Sequence, residues 1–167
     1  MVWFQGCTLG CPGCFNPTTH DAAGGRETTV QAVLVEVAAA VAAKHPITGL
    51  TLSGGEPLQQ AEAAAALLVG ARALGLSTLM FSGYTIEEAR ALRGGPDVLA
   101  QLDVMIDGRY VSTDRFATGL RGSANQGIQL LTPRYTLAEV EATPVAEIRI
   151  GKSGEVILTG VNPLKLR

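Results

Sequence analysis

Short apolar runs alternate along the chain with longer segments in which apolar residues recur at helical spacing. Runs rich in Val, Ile, Leu, Met and Phe that are followed by Gly, Ser or Asp predict buried strands. Such runs occupy residues 2–6, 50–52, 76–81 and 104–106. The regular alternation of strands and helices predicts an α/β fold with a mainly parallel sheet.

The helices are predicted from their caps as well as from their periodicity. The first helix follows a threonine cap at position 28 or 29 and runs to about Lys44, shortly before a proline. The second is rich in Ala and Leu and ends near Gly75, a residue type common just past a helix C-terminus. The third begins at Thr85, with Glu88 three positions later, which is the pattern of a capping box.

One edge of the predicted sheet is expected to collect the loops that follow its strands. Right-handed crossovers return each strand in the same direction, so the carboxyl ends of parallel strands share an edge. The loops after Gly6, Leu52, Phe81 and Ile106 should therefore meet there, at what we call the rim. So few strand–helix units cannot close an eight-stranded barrel. The pattern predicts a partial (β/α) barrel or an open curved sheet, with the chemistry on the rim.

The alternation ends beyond Gly119. Residues 121–126 are predicted to be a polar loop. Residues 147–150 and 156–158, around Lys152-Ser153-Gly154, are predicted to form a C-terminal β-hairpin. We therefore expect a core domain at residues 1–130 and a C-terminal extension at residues 131–167, packed on the same domain.

Charge and hydropathy exclude two classes of partner. The 167 residues carry a formal net charge of -2, an isoelectric point of about 5.7 and 5% aromatic residues. This balance offers no basic surface for a phosphate backbone, so we expect no nucleic-acid partner. Stretches of Ala, Val and Leu are interrupted by Glu, Lys or Arg before they could span a bilayer, so we expect no membrane partner either.

All three cysteines lie in one short loop, as Cys7-x-x-x-Cys11-x-x-Cys14. An odd number of clustered thiols without a signal peptide indicates a reducing compartment, here the cytoplasm, and metal or redox chemistry. A 4Fe–4S cluster needs four ligands, so three thiolates leave one iron open to a substrate or another donor. Glycines at positions 6, 10 and 13 give the loop the backbone freedom to wrap a compact centre.

A structural zinc site is the alternative hypothesis for these thiols. His20 would complete a tetrahedral set of three thiolates and one imidazole. The chain would then be a zinc-stabilised binding module without catalysis.

The spacing of the cysteines directly after a first strand resembles that of the radical S-adenosylmethionine superfamily. Within this superfamily the chain is similar to the activating proteins of anaerobic ribonucleotide reductase, from about Val2 to Gln126. Six stretches in a specific order carry the resemblance: Gly6-Cys7, Cys11-Pro12-Gly13-Cys14-Phe15-Asn16, Leu52-Ser53-Gly54-Gly55-Glu56-Pro57-Leu58, Ser82-Gly83-Tyr84, Asp107-Gly108-Arg109-Tyr110 and Arg121-Gly122-Ser123-Ala124-Asn125-Gln126.

The resemblance implies an iron–sulfur enzyme that binds a 4Fe–4S cluster and S-adenosylmethionine. Such an enzyme reductively cleaves S-adenosylmethionine to a 5′-deoxyadenosyl radical, which generates a glycyl radical on a partner such as anaerobic ribonucleotide reductase. A flavodoxin- or ferredoxin-type protein would donate the electron. Activation of another glycyl-radical enzyme, or radical modification of another substrate, is the alternative within the same class.

The resemblance also implies residue roles. Cys7, Cys11 and Cys14 would hold the cluster, and Gly54-Gly55-Glu56 would meet the methionine amino group of S-adenosylmethionine. A second interpretation, compatible with the first, is that Ser53-x-x-Glu56 forms a capping box for the following helix.

Further contacts with the cofactor are expected from the other loops of the rim. The resemblance implies that Ser82 borders the cofactor and that Asp107 and Arg109 contact its methionine end, although Asp-Gly is also typical of a plain turn. The tasks of Arg121 and of Asn125-Gln126 stay open.

The two ends of the chain differ from the family pattern. Relatives carry extra residues, including a Gly-Pro-Gly segment, before the first strand, whereas this chain begins at Met1 almost inside that strand. We expect one strand edge and part of the cofactor pocket to be less covered. Residues from about Leu130 onward exceed the shorter family members and would cover the sheet edge or meet the partner.

Overall fold

The computed structural model describes residues 1–151 and 153–160 and contains nine strands within them. In chain order these are β1 Val2–Phe4, β2 Gly49–Gly54, β3 Ser77–Phe81, β4 Val104–Asp107, β5 Arg115–Thr118, β6 Arg121–Ser123, β7 Gly127–Leu130, β8 Glu147–Ile150 and β9 Val156–Thr159. Five of them form the central sheet in the order β1-β2-β3-β4-β7. The strands β1 to β4 run parallel, and β7 runs antiparallel to β4. The predicted mainly parallel α/β fold is thereby confirmed, while the partial barrel stays a prediction.

Five α-helices accompany this sheet in the described residues, namely α1 Val30–Val41, α2 Ala61–Ala73, α3 Ile86–Ala91, α4 Gly95–Leu99 and α5 Leu137–Glu141. The hydroxyl of Thr29 caps α1 by accepting the N–H of Ala32 at 3.2 Å, and α1 ends at Val41, short of the predicted Lys44. The capping box between Thr85 and Glu88 at the start of α3 is confirmed. Neither α4 nor α5 was predicted, because each is only five residues long.

Side chains on the two faces of the sheet form two separate apolar clusters. The larger cluster packs α1, α2 and α4 against the strands and contains the fully buried Leu52, Met80 and Met105. The smaller cluster lies on the opposite face, where Val104 and Ile106 meet Val140 of α5. Because successive residues of a strand point to opposite faces, β4 contributes Met105 to one cluster and its neighbours to the other.

The predicted capping box between Ser53 and Glu56 is wrong. Pairing with Trp3 of β1 keeps Ser53 extended inside β2. The Glu56 carboxylate instead accepts the N–H of Leu58 at 2.9 Å and caps a short 3-10 turn, Pro57–Gln60. The helix α2 therefore begins only at Ala61, beyond the reach of the predicted box.

The predicted polar loop at residues 121–126 is wrong for its first half. Arg121–Ser123 forms β6, which pairs antiparallel with β5. Together with a 3-10 turn at Ser112–Asp114, these strands make a segment that we call the flap, residues 112–123. The pattern gave no signal because β5, β6 and the edge strand β7 are each only three or four residues long.

The C-terminal hairpin is confirmed as the antiparallel pair of β8 and β9. Lys152 in its predicted turn, and residues 161–167 of the predicted extension, lie outside the described residues. Across the described chain, every helix is too short or too polar to traverse a lipid bilayer.

Candidate functional site

The rim forms where the parallel strands end, as the alternation predicted. The N–H of Glu56 donates to the carbonyl of Gly6 at 2.9 Å, which joins the loops after β1 and β2. The N–H of Ser82 donates to Ile106 at 2.9 Å, and that of Gly108 donates to Tyr84 at 3.1 Å, which joins the loops after β3 and β4. The rim is therefore a set of loops that hold one another through backbone hydrogen bonds.

The cysteine loop leaves the rim directly after β1. Cys7, Cys11 and Cys14 are free thiols and are half-buried. The N–H of Cys7 donates to the carbonyl of His20 at 3.1 Å, which fixes the start of the loop, and that of Cys14 donates to Cys11 at 3.2 Å, which closes a turn inside it. The three glycines of the loop, at positions 6, 10 and 13, all have positive φ. The predicted need for glycine backbone freedom is thereby confirmed.

The chemistry of these donors fits an iron–sulfur centre. Three thiols lie on one loop without a disulfide, and the Cys14 Sγ already accepts an N–H, from Asn16 at 3.4 Å. Hydrogen bonds to sulfur are one means by which proteins tune such centres. Over residues 1–151 and 153–160, however, no three His, Cys, Asp or Glu side chains are gathered closely enough to hold a metal ion. Both the cluster ligands and the zinc alternative with His20 therefore stay predictions.

Gly54 and Gly55 bring two backbones together at the rim. Gly54 has φ +99°, and a Cβ at this position would collide with the backbone of Phe4. A Cβ at Gly55 would overlap the carbonyl oxygen of Gly6, and the N–H of Gly55 donates to Phe4 at 2.7 Å. These glycines thus let the loop after β2 approach the end of β1 closely, and their contact with a cofactor stays a prediction.

Glu56 is the most deeply buried acidic side chain of the rim, with 1% of its surface exposed. Its carboxylate accepts hydrogen bonds from Leu58 N–H at 2.9 Å, Ser82 Oγ at 2.9 Å and Gly83 N–H at 2.8 Å. Burial raises the pKa of Glu56 above 4.5, although these hydrogen bonds and the charge of Arg109 oppose the rise. The structure thereby brings Glu56 and Ser82, both predicted for the site, into direct contact.

Gln59 links the cysteine loop to the 3-10 turn that follows Glu56. The sequence did not predict this role. Its Oε1 accepts the N–H of Thr8 at 3.1 Å, and its Nε2 donates to Thr8 Oγ1 at 2.8 Å and to the hydroxyl of Tyr84 at 3.3 Å. Leu9 packs on the other side of the loop, where a Cβ at Gly83 would collide with it. A lone glutamine after Glu-Pro-Leu gives no sequence signal for this bridge.

Asp107 and Arg109 have partners within the protein. Asp107 is 5% exposed, and its carboxylate accepts the N–H of Ile86 at 2.7 Å and the Nε2 of Gln129 at 3.1 Å. It thus anchors the start of α3 and the edge strand β7. Arg109 donates to Glu88 at 2.8 Å, and this hydrogen bond raises the pKa of Arg109. A smaller electrostatic contribution from Cys11 raises the pKa of Arg109 in the same direction.

Aromatic contacts join the cysteine loop to the flap. Phe15, directly after Cys14, packs against Tyr110 with ring centroids 4.5 Å apart. The guanidinium of Arg115 lies 5.1 Å from the centre of the same ring. The cysteine loop is therefore held from three sides: by β2 and its glycines, by Gln59, and by the flap.

Comparisons with known proteins relate this chain to iron–sulfur proteins and to activating proteins. Residues 1–129 match the model of the family described as a 4Fe-4S single cluster domain. The anaerobic ribonucleoside-triphosphate reductase-activating protein of Enterobacteria phage T4 is 34% identical over 130 residues, which cover 75% of this chain and 80% of that protein. The protein of the same name from Vibrio cholerae serotype O1 is 29% identical over 137 residues, with 78% of this chain and 86% of that protein covered.

A shorter match extends to a second kind of activating enzyme. The pyruvate formate-lyase 1-activating enzyme of Escherichia coli strain K12 is 41% identical over 66 residues, which cover 37% of this chain and 26% of that enzyme. The family model spans all residues of the rim described above, from the cysteine loop to Gln126. On this evidence the chain belongs to the family of 4Fe–4S single-cluster domain proteins.

Proposed function

We propose that the chain is a radical S-adenosylmethionine enzyme that activates a glycyl-radical enzyme. Cys7, Cys11 and Cys14 would hold the 4Fe–4S cluster, which, when bound, supplies the electron and the open iron for reductive cleavage of S-adenosylmethionine to a 5′-deoxyadenosyl radical. One observation carries the proposal: a loop with three free thiols leaves the rim beside the buried carboxylate of Glu56. The names of the relatives supply the reaction class.

Glu56 is proposed to receive the amino group of the cofactor's methionine part. An ionised carboxylate offers about four acceptor positions, of which the hydrogen bonds from Leu58, Ser82 and Gly83 use three. One position remains for an ammonium group, whose positive charge would stabilise the ionised carboxylate in its buried place. Ser82 and Gly83 hold the carboxylate at a fixed orientation while this contact forms.

Asp107 and Arg109 are proposed to act at the same end of the cofactor by different means. Because Asp107 is occupied by Ile86 and Gln129, it would position the loop after β4 and the start of α3. The side chains of Arg109 and Glu88 are both exposed, so the guanidinium would turn from Glu88 to a carboxylate of the cofactor.

The partner is proposed to be an anaerobic ribonucleoside-triphosphate reductase, as the names of the phage T4 and Vibrio cholerae relatives indicate. A flavodoxin- or ferredoxin-type protein would deliver the electron, and the thiol-based centre suits a reducing compartment such as the cytoplasm. The second candidate is a different glycyl-radical enzyme, because the match to the pyruvate formate-lyase 1-activating enzyme is 41% identical over its 66 residues.

Anaerobic reconstitution tests the proposed chemistry. Purified protein is loaded with iron and sulfide, reduced in the presence of S-adenosylmethionine, and assayed for methionine and 5′-deoxyadenosine. We expect roughly four irons per chain and both products, with neither product from the Cys14→Ala variant. About one zinc per chain without sulfide would instead support the zinc-module alternative.

The partner is tested separately with the reconstituted protein. Anaerobic ribonucleoside-triphosphate reductase or pyruvate formate-lyase is added with reductant and S-adenosylmethionine, and the glycyl radical is measured by electron paramagnetic resonance. We expect a radical on the reductase and none on the lyase. A signal on the lyase alone would favour the second candidate.

A further inference from the structure

The last stretch of the family resemblance, Arg121 to Gln126, has a physical role that its sequence did not reveal. The side-chain amide of Gln126 spans two segments of the rim. Its Oε1 accepts the N–H of Gly122 at 2.8 Å and that of Ser123 at 3.1 Å, both in β6 of the flap. Its Nε2 donates to the carbonyl of Gly108 at 3.0 Å, just after β4. One amide thus ties the flap to the end of β4.

Neighbouring side chains of the same stretch reinforce this connection. Asn125 donates from Nδ2 to the carbonyl of Arg109 at 2.8 Å, and the Ser123 hydroxyl accepts the N–H of Val111 at 3.1 Å. Arg121 pairs with Glu141 of α5 at 3.2 Å and so fastens the far side of the flap. Gln126 is the member of this group that contacts both segments at once.

The flap in turn supports the third cysteine. A Cβ at Gly122 would lie 2.7 Å from Cε2 of Phe15, so the flap backbone packs directly on the ring that follows Cys14. The same ring also packs against Tyr110. Gly13, the residue before Cys14, also contacts the flap. A Cβ at this position would lie 3.0 Å from the Cβ of Ser112, at the start of the flap. The Cys14 side of the cysteine loop is therefore seated on the flap.

We propose that Gln126 is a positioning residue that holds the flap, and through Phe15 the Cys14 thiol, in fixed register with the end of β4. The consequence is that two parts of the site, the third cluster ligand and the segment that carries Arg109, cannot shift independently. This consequence for the cofactor rests on the proposed function. The connection between Gln126 and Cys14 does not, because it is made by contacts within the protein.

The three partners of Gln126 make an amide necessary at this position. Two are backbone N–H groups and one is a backbone carbonyl, and none of them can exchange the roles of donor and acceptor. In a Gln126→Glu variant the carboxylate would still accept from Gly122 and Ser123 but would turn an oxygen towards the carbonyl of Gly108. Repulsion replaces attraction there, so a nearly isosteric change should disrupt the connection as much as truncation to Ala does.

Thiol reactivity of the metal-free protein tests the connection without the cofactor. Reduced protein receives a short pulse of iodoacetamide, and fragment-ion mass spectrometry of the tryptic peptide ending at Arg26, which contains all three cysteines, gives a separate rate for each thiol. We expect Gln126→Ala and Gln126→Glu to speed the alkylation of Cys14 about fivefold, the change that corresponds to the loss of a hydrogen bond worth about 1 kcal/mol. The Cys7 rate should stay unchanged, because Cys7 is held by His20.

An exposed glutamine of α1 provides the matched control, since Gln31→Ala should alter no rate. The proposal is overturned if the Gln126 variants leave the Cys14 rate unchanged, or if all three thiols speed up equally, which would indicate general loosening. It is also overturned if Gln126→Glu behaves as wild type while Gln126→Ala does not, because the acceptor contacts alone would then suffice.

The reconstituted protein tests the consequence for the cofactor. The Gln126 variants should retain iron but bind S-adenosylmethionine about fivefold more weakly by calorimetry, with an altered electron paramagnetic resonance spectrum of the reduced cluster in its presence. Unchanged affinity and spectrum would overturn this consequence. If wild-type protein itself fails to bind S-adenosylmethionine, the proposed function fails, and the alkylation rates still decide the role of Gln126.

Discussion

The hydroxyl of Ser82 donates a hydrogen bond to the carboxylate of Glu56 at 2.9 Å, and both side chains are buried. This bond joins the loop after β2 to the loop after β3, so the acid of the glycine-rich motif is oriented by a neighbouring strand. A carboxylate held in this way has little freedom to rotate when a ligand arrives. Burial and the three hydrogen-bond donors therefore determine how Glu56 responds to substitution and to pH.

Replacing Glu56 by glutamine should weaken both the fold and the binding of S-adenosylmethionine. Two of the donors to Glu56 are backbone N–H groups, of Leu58 and Gly83, and the amide nitrogen of glutamine would face one of them. An unsatisfied buried donor costs about 1–3 kcal/mol. Urea unfolding of the metal-free protein measures this cost, and calorimetry of the reconstituted protein measures the affinity.

The matched control for this substitution is Glu62→Gln, because the Glu62 side chain is 92% exposed at the start of α2. This control should leave both quantities within error of wild type. Equal affinity for S-adenosylmethionine in the Glu56→Gln protein and wild type would contradict the role proposed for the carboxylate.

The pH dependence of stability should report the burial of Glu56. Burial raises the pKa of Glu56 above the ordinary 4.5, so the folded state binds more protons than the unfolded state between these two values. The contribution of Glu56 to the free energy of unfolding is therefore complete below its ordinary pKa. It is lost as the pH rises through the raised pKa of the folded state. The unfolding free energy of wild type minus that of Glu56→Gln should therefore fall as the pH rises from about 4.5, measured by urea unfolding of the metal-free protein.

Taking this difference removes the groups that titrate in the opposite sense. Asp103, Glu88 and Glu139 have lowered pKa values and lose their contribution as the pH falls. They are present in both proteins and cancel. A difference that is independent of pH would show that the Glu56 carboxyl is not buried in solution.

Gly55→Ala should displace the cysteine loop. The added Cβ would overlap the carbonyl oxygen of Gly6, which is a backbone atom and cannot move alone. Overpacking of this kind costs about 1–3 kcal/mol, and here the strain falls on the residue before Cys7. We expect lower stability, and iron incorporation well below that of wild type after identical reconstitution.

Gly75→Ala separates the loss of stability from the loss of the site. Gly75 has φ +78° with nothing near its Cβ position, so alanine there costs about 1–2 kcal/mol through the backbone alone. This variant should be destabilised to a similar degree but should incorporate iron normally. Equal iron content in the two variants would refute the steric argument for Gly55.

Local signals account for what the sequence allowed us to predict. The cysteine spacing, the threonine cap of α1 and the capping box at Thr85 are each complete within a few residues, so one sequence displays them. The mainly parallel sheet could be predicted from the alternation of strand and helix segments along the chain. The capping box predicted at Ser53 did not form, because Ser53 pairs with Trp3 on a strand distant in sequence. A local pattern contains no information about such a pairing.

Contacts between distant segments explain what could not be predicted. Gln59 meets Thr8 across 51 positions, and Gln126 meets Gly108 across 18 positions. An amide can satisfy almost any polar neighbour, so its residue type does not specify a partner. The partners of the Asp107 carboxylate could not be predicted either, because Ile86 and Gln129, which donate to it, are distant in sequence.

Asp103 should matter for stability and not for the site. It lies before β4, at the end of the sheet away from the rim, and is 2% exposed. Burial alone would raise the pKa of Asp103, but hydrogen bonds from Thr132 and Thr78 and the charge of Arg72 outweigh it and lower the pKa below 3.8. Its contribution is therefore present above that pH and is lost as the pH falls through the lowered pKa.

The corresponding variant is Asp103→Asn, which we expect to lower the unfolding free energy at neutral pH by about 1.5–3 kcal/mol, the range for hydrogen bonds to charged groups. Urea unfolding should show this loss shrinking at acid pH, while affinity for S-adenosylmethionine stays at the wild-type value. The exposed Asp97 of α4 supplies the control, Asp97→Asn. A change in affinity caused by Asp103→Asn would show that the two ends of the sheet are coupled.

Gln59 should hold the first half of the cysteine loop, and the two possible replacements should differ. The partners of its amide include two hydroxyls, of Thr8 and Tyr84, which can donate as well as accept. Glutamate can therefore keep all contacts, since both hydroxyls rotate and the N–H of Thr8 still finds an oxygen. Leucine has a similar size but keeps none of them.

We accordingly expect Gln59→Leu, and not Gln59→Glu, to release the loop between Cys7 and Cys11. The alkylation rate of Cys11 in the metal-free protein should rise about fivefold in Gln59→Leu, as for loss of about 1 kcal/mol of hydrogen bonding, and should stay at the wild-type rate in Gln59→Glu. Glutamate should thus be tolerated at position 59 but not at position 126, where fixed backbone partners exclude it. Identical rates for the two Gln59 variants would mean that side-chain volume, and not hydrogen bonding, holds the loop.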